Sequence, residues 1–117
     1  MGGFWNENVF NGCDQSIYIP GGVYELRLNC DKHFIIKKHE QGKVFDLKTY
    51  KIEHDADIGY MKFQRDGNLV VYSRDNEAMW DTGTFGNERA YMDFQNDGNL
   101  VIYKDKSDGD VDVLWAS

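Results

Sequence analysis

Apolar and polar residues alternate along most of this chain with a period of two. Val23-Tyr24-Glu25-Leu26-Arg27-Leu28 is the first clear run, and alternation of that length marks a half-buried β-strand. Ile17-Tyr18-Ile19 reads as a short strand running into a turn at Pro20-Gly21-Gly22, since Pro-Gly favours turn geometry. The segment before it carries Trp5 and Phe10 among many Asn and Gly residues. It reads as an N-terminal arm, residues 1–19, with one short strand. No segment has a helical period, so the pattern predicts an all-β chain.

The alternation repeats. Gln64-Arg65-Asp66-Gly67-Asn68-Leu69-Val70-Val71-Tyr72 returns as Gln95-Asn96-Asp97-Gly98-Asn99-Leu100-Val101-Ile102-Tyr103. Trp80 and Trp115 follow the two copies. A shift of 35 residues places Asn29, Asp31, His33, Ile35 and Lys37 on the motif positions and Phe45 on Trp80. Three units result, at about 24–50, 60–84 and 91–117. The third has four extra residues between motif and tryptophan, read as a longer hairpin loop. Each unit is then a small antiparallel sheet that cannot bury its apolar face alone, and three can do so around a shared axis. One large aromatic per sheet, Phe45, Trp80 and Trp115, is expected at the centre, where large rings bury much area. Trp5 either plugs the assembly or packs in a partner.

Asp66-Gly67 and Asp97-Gly98 read as hairpin turns. A loop at 66–68, or a bulge of equal effect, pairs Gln64 with Val70 and puts Gln64, Val70 and Tyr72 on one face. Leu69 and Val71 then point to the core with Phe63 and Met61. A core strand has no need of Gln, Asp and Asn at alternate places, whereas a site that grips hydroxyl groups does. The bland alternative is that Asp66, Gly67 and Asn68 serve the turn alone. It leaves unexplained why Gln64 and Tyr72 recur with them as Gln95 and Tyr103.

The 117 residues suffice for one domain. At 41% hydrophobic and 15% aromatic the chain is too apolar for disorder. A formal charge of −7 repels phosphate backbones and anionic lipid, so nucleic acid is not an expected partner. No apolar run is long enough for membrane insertion. The start lacks the basic and apolar regions of a signal peptide, and Asn6 breaks the myristoylation pattern. The expected location is therefore cytoplasmic or reached by a non-classical route, or the chain is a mature form. Cys13 and Cys30 form one disulfide or remain two buried thiols.

Other chemistry is weakly represented. His33, His39 and His54 lack metal-site spacing. The acidic loop with Asp105, Asp108, Asp110 and Asp112 lacks the calcium-loop pattern and reads as solvated. Ser16, Ser73, Ser107 and Ser117 show no nucleophile elbow or triad. Glycoside cleavage needs two opposed carboxylates, and the motif offers one. No catalytic residue, metal or cofactor is expected.

With these residues in place, the chain resembles the monocot mannose-binding lectins, the bulb-type or snowdrop-lectin family, whose signature is Q-x-D-x-N-x-V-x-Y. Gln64, Asp66, Asn68, Val70 and Tyr72 match it fully, as do Gln95, Asp97, Asn99, Val101 and Tyr103. Trp80-Asp81-Thr82 and Trp115-Ala116-Ser117 are similar to the family's W-[AS]-[TS] segments. The resemblance covers about residues 20–117 and implies a β-prism II fold, three four-stranded antiparallel sheets in pseudo-threefold arrangement, as a single domain. It further implies two metal-independent, carbohydrate-binding sites for α-D-mannose-type glycans or glycoproteins. In the first unit only Asp31 of Asn29, Asp31, His33, Ile35 and Lys37 is kept, so that site is read as degenerate. The cysteine spacing is not that of the plant lectins. The family often forms dimers by exchanging its C-terminal strand; a homodimer is compatible with this chain, though so short a terminus weakens that expectation. A prism that has lost sugar binding and serves as a protein-interaction module is the alternative.

Overall fold

The computed structural model describes residues 3–117. Met1 and Gly2, the start of the expected arm, lie outside the described residues. Twelve strands follow in order: β1 (Gly3–Phe4), β2 (Glu7–Phe10), β3 (Gln15–Tyr18), β4 (Tyr24–Asn29), β5 (His33–Glu40), β6 (Lys43–Lys51), β7 (Ile58–Phe63), β8 (Leu69–Ser73), β9 (Ala78–Asp81), β10 (Ala90–Phe94), β11 (Leu100–Asp105) and β12 (Val111–Ala116). They form three four-stranded sheets, β3-β4-β5-β6, β2-β7-β8-β9 and β1-β10-β11-β12, antiparallel at every pairing. This is the all-β, β-prism II architecture that the resemblance implies, with the three sheets that the repeats predict.

Each repeat supplies three consecutive strands of one sheet, and the fourth strand comes from the first nineteen residues. The first nineteen residues, read as an arm with one short strand and a further short strand at Ile17-Tyr18-Ile19, carry three, each paired with a different sheet, and β3 overlaps the strand expected at Ile17. All three are two to four residues long, and β1 and β2 are too short to show a period in the sequence. They satisfy backbone groups that would otherwise lie open along β4, β7 and β10.

Alternation decides which residues point inward. In β4–β5 these are Leu26, Leu28, Phe34 and Ile36; in β7–β8, Met61, Phe63, Leu69 and Val71; in β10–β11, Met92, Phe94, Leu100 and Ile102. All twelve are essentially without exposed surface. Leu28 faces Phe34, Phe63 faces Leu69, and Phe94 faces Leu100 across the ladders. Every sheet therefore offers one Phe–Leu pair, with the phenylalanine on the opposite strand in the first unit. That exchange conserves volume, and volume-conserving exchanges are the kind a close-packed core tolerates.

The central aromatic of the first sheet differs from expectation. Tyr50, Trp80 and Trp115 meet one another, with ring centroids 5.6 Å (Tyr50–Trp80), 5.7 Å (Tyr50–Trp115) and 6.5 Å (Trp80–Trp115) apart. Phe45 is 46% exposed. The reason is register. The β5–β6 hairpin closes through a two-residue turn at Gln41 and Gly42, both with positive φ. Phe45 thereby lies opposite Lys38, near the hairpin tip, and Tyr50 comes opposite Phe34. The four extra residues of the third unit are also placed differently. Ser73–Glu77 and Lys106–Asp110 close by the same pair of backbone hydrogen bonds, so the loops are alike and the extra residues lengthen β11 and β12. Trp5 is half exposed and is no plug.

Cys13 and Cys30 are joined, with Cα atoms 4.9 Å apart. The bridge ties the loop before β3 to the turn between β4 and β5. Closing a loop over a separation of 17 residues removes unfolded-state entropy worth about 3 kcal/mol. The double variant Cys13→Ala/Cys30→Ala is expected to lose roughly that much in urea unfolding. An unchanged midpoint would refute this estimate.

Candidate functional site

The motif sits on a hairpin tip and on the outward face of β7–β8. The Gln64 N–H donates to the Asn68 carbonyl at 2.8 Å and the Gly67 N–H to the Gln64 carbonyl at 3.0 Å. The loop is therefore residues 65–67, and Gln64 faces Asn68 rather than Val70. A slip of two residues keeps every side chain on its expected face. Gln64, Asn68, Val70 and Tyr72 share the outward side, and Met61, Phe63, Leu69 and Val71 share the core. The third unit repeats the turn, with Gln95 N–H to Asn99 carbonyl at 2.8 Å and Gly98 N–H to Gln95 carbonyl at 2.9 Å.

Several polar contacts are the same in both units. Gln64 Nε2 donates to the Tyr72 hydroxyl, and Gln95 Nε2 to the Tyr103 hydroxyl. The Asn68 N–H donates to Asp66 Oδ1, and the Asn99 N–H to Asp97 Oδ1, both at 3.0 Å. These local bonds aim one carboxylate, one carboxamide and one phenol at a common strip of surface. Burial raises the Tyr72 pKa, and the Gln64 hydrogen bond opposes that shift; the charges of Tyr60, Asp66 and Asp81 add to the rise. Tyr72 is therefore a neutral phenol at neutral pH and can both donate and accept. Val70 and Val101 are buried apolar floor between the polar groups.

The asparagines differ. Asn68 is 5% exposed. Its Oδ1 accepts from the Thr82 hydroxyl at 3.1 Å and the Thr84 N–H at 3.2 Å, while its Nδ2 donates to Asp81 at 2.9 Å. Asn99 is exposed and its Nδ2 donates to Asp97 at 3.1 Å. Ala116 stands where the second unit has Asp81, so the carboxylate that holds Asn68 has no counterpart. The roles of Asp81, Thr82 and Thr84 were not legible in the motif, because they reach it from 13 to 16 residues away. Ser117 does mirror Thr82: the Leu100 N–H donates to its hydroxyl as the Leu69 N–H does to Thr82.

The first unit keeps the turn but not the chemistry. Lys32 adopts the positive φ that Gly67 and Gly98 have. Asn29 Oδ1 accepts from Arg27, His33 contacts Asp31 at 3.0 Å, Lys37 pairs with Asp46 at 2.8 Å, and Ile35 is buried. Each polar side chain at a motif position thus has a partner within the protein. Behind them Glu25, buried, accepts from the Ser16 hydroxyl and contacts His39 at 2.7 Å. Among the described residues no cluster of three or more His, Cys, Asp or Glu side chains could hold a metal ion.

Two predictions follow from this geometry. Gly67 has φ of 88° and a Cβ there would lie 2.6 Å from the Asn87 carbonyl oxygen, whereas Gly109 has φ of 87° and open space. Gly109→Ala is expected to cost only backbone strain, about 1–2 kcal/mol. Gly67→Ala should cost clearly more, and equal losses in denaturant unfolding would contradict the contact. For Glu25, burial raises the carboxyl pKa, but hydrogen bonds from Ser16 and His39 and the charges of His39 and Arg27 outweigh it, leaving it below the ordinary 4.5. A depressed carboxylate stabilises the fold above its unfolded pKa, and that contribution is lost as pH falls through the folded value. Between neutral pH and about pH 3, wild type should lose more stability than Glu25→Gln; parallel losses would count against this linkage.

No protein-family model matches the chain, and no curated sequence relative matches it. Solved structures do. A monomeric monocot mannose-binding lectin from Gastrodia elata is 26% identical, with a TM-score of 0.72 over 100% of this chain and 96% of its own. Polygonatum cyrtonema lectin, solved with a monomannoside, is 25% identical with a TM-score of 0.68, covering 100% and 96%. A lectin from Marasmius oreades is 25% identical with a TM-score of 0.71, covering 100% and 91%. Over its whole length, then, this chain is similar to the monocot mannose-binding, bulb-type lectins and has their β-prism II fold.

Proposed function

We propose that this protein is a lectin that binds α-D-mannose-type glycans without a metal, through two sites. One comprises Gln64, Asp66, Asn68, Val70 and Tyr72; the other comprises Gln95, Asp97, Asn99, Val101 and Tyr103. The observation that carries the reading is the repeated outward cluster, in which a carboxylate, a carboxamide and a phenol flank an apolar floor in both units. Mannose differs from glucose in its axial 2-hydroxyl. In this reading Asp66 and Asn68 meet that hydroxyl, Gln64 the 3-hydroxyl and Tyr72 the 4-hydroxyl, with Val70 under the C3–C4 edge. The third unit acts in the same way. A carboxylate accepts only, while the amides and phenol do both, so a vicinal set of hydroxyls can be matched. An epimer leaves these groups unpaired, at a cost of about 1–3 kcal/mol.

The two sites are not equivalent. Asn68 has one amide hydrogen left after its contacts with Asp81, Thr82 and Thr84, so Asp66 carries more of the recognition there. The Asn99 side-chain oxygen has no hydrogen-bond partner among the described residues. Each site is shallow, and a single sugar binds on the order of millimolar. Useful affinity then comes from two sites, or more in a homodimer, engaging one branched glycan or surface. The role is binding and involves no catalysis, since each motif has one carboxylate.

The second reading is a prism whose motif now serves structure and whose surface holds a protein partner. The Asn68 carboxamide, largely engaged within the protein, favours it for the second unit, and the exposed Asn99 does not. Titration with methyl-α-mannoside and methyl-α-glucoside, followed by amide NMR, separates the two. The Asn68 and Asn99 N–H groups donate to Asp66 and Asp97, so a hydroxyl engaging either carboxylate should shift them. Mannose-selective shifts at both are expected, and Asp66→Ala/Asp97→Ala should abolish them with the fold retained. Silence at tens of millimolar sugar would rule out the mannose reading.

A further inference from the structure

We propose that Tyr60 and Tyr91 form a second subsite beside each motif, an aromatic ledge for the apolar C–H face of a further sugar ring joined to the first. The proposal rests on the sugar-binding reading above. Tyr60 lies directly across the ladder from Tyr72, and Tyr91 from Tyr103. The rings are stacked, with centroids 5.1 Å apart at 24° in the second unit and 5.5 Å apart at 30° in the third. All four are half-buried on the outward face. The Tyr60 hydroxyl donates to Asn76 Oδ1 at 2.9 Å, which fixes the ring.

Neither core nor fold requires these rings. They point away from the twelve inward residues. In the first sheet the same two positions hold Glu25 and Lys37, paired across the ladder, and the sheet forms all the same. The tyrosine pair thus accompanies the intact motif twice and is missing where the motif is degraded. Its place is also suggestive. Along β8 the site runs from the turn through Asn68 and Val70 to Tyr72, and Tyr60 lies beside its far end. A single sugar held by the motif extends to Tyr72, and a ring linked beyond it lies against Tyr60. A pyranose has a face of C–H groups with hydroxyls around its edge. That face matches the negative π surface of a phenol ring, and its hydroxyls can meet the polar tips.

The test compares methyl-α-mannoside with the α-linked mannobioses by calorimetric titration of the intact chain. At least one disaccharide should bind wild type about five- to tenfold more tightly than the monosaccharide. In Tyr60→Ala/Tyr91→Ala that ratio should fall to about one, and Tyr60→Phe/Tyr91→Phe should keep most of it. Tyr60→Glu/Tyr91→Glu, which introduces the residue the first sheet carries there, should lose the ratio too and guards against an alanine variant that does not fold. A ratio that survives ring removal overturns the subsite, including the case where both ligands weaken in parallel because the rings only position Tyr72 and Tyr103. Monosaccharide binding with no disaccharide preference also overturns it. Failure of wild type to bind any of these sugars overturns the underlying site reading instead.

Discussion

Every feature of this protein depends on the mutual burial of three apolar sheet faces. A four-stranded sheet with one greasy side has no stable existence in water by itself. Here four inward residues from each sheet meet at one axis, and all twelve are sealed from solvent. Complete burial of such side chains stabilises by roughly 1.5–3 kcal/mol each. The Phe–Leu pair of each sheet fills the same volume whichever strand carries the ring. Tyr50, Trp80 and Trp115 close the contact, packed against one another and against the core cluster.

That core dictates the surface. A strand whose alternate residues are locked inward has no freedom in where the others point. Leu69 and Val71 in the core oblige Asn68, Val70 and Tyr72 to share the outer face, and the same holds for Leu100 and Ile102 with Asn99, Val101 and Tyr103. The outward strip is therefore placed by packing, and the local hydrogen bonds of the motif then aim its polar groups. The glycine turn sets the last element by bringing Gln64 and Asp66 back over the strand. The segment between β9 and β10 then holds one tip firmly, because Thr84 donates to the Gly67 carbonyl at 2.6 Å and the Asn87 N–H to the Asp66 carbonyl at 2.8 Å. The other tip rests on the ring of Tyr24, which leaves no room for a side chain at Gly98.

The first sheet shows the same scaffold without the full motif. Its motif turn, its inward positions and its β4–β5 pairing are those of the other two, while its outer face carries paired polar side chains, His39 with Glu25, Lys37 with Asp46 and His33 with Asp31. Fold and site are separable because they occupy opposite faces of the same strands.

The sequence by itself determined whatever depends on periodicity. Alternation identified the strands and the inward residues, the internal repeat gave three units, and the motif's spacing placed its side chains on one face even though the loop lies one residue earlier than expected. A two-residue slip is invisible to a period of two. The tertiary structure decided what depends on register and on distant neighbours. Turn type in the β5–β6 hairpin brought Tyr50 to the axis and left Phe45 outside. The arm holds one strand more than expected, because β1 and β2 are too short to show a pattern and their pairing follows from open sheet edges elsewhere. Cys13 and Cys30 are bonded because β3–β4 pairing brings their loops together. Asn68 and Asn99, identical in the motif, differ because only one has a carboxylate within reach at the end of a strand 13 residues away.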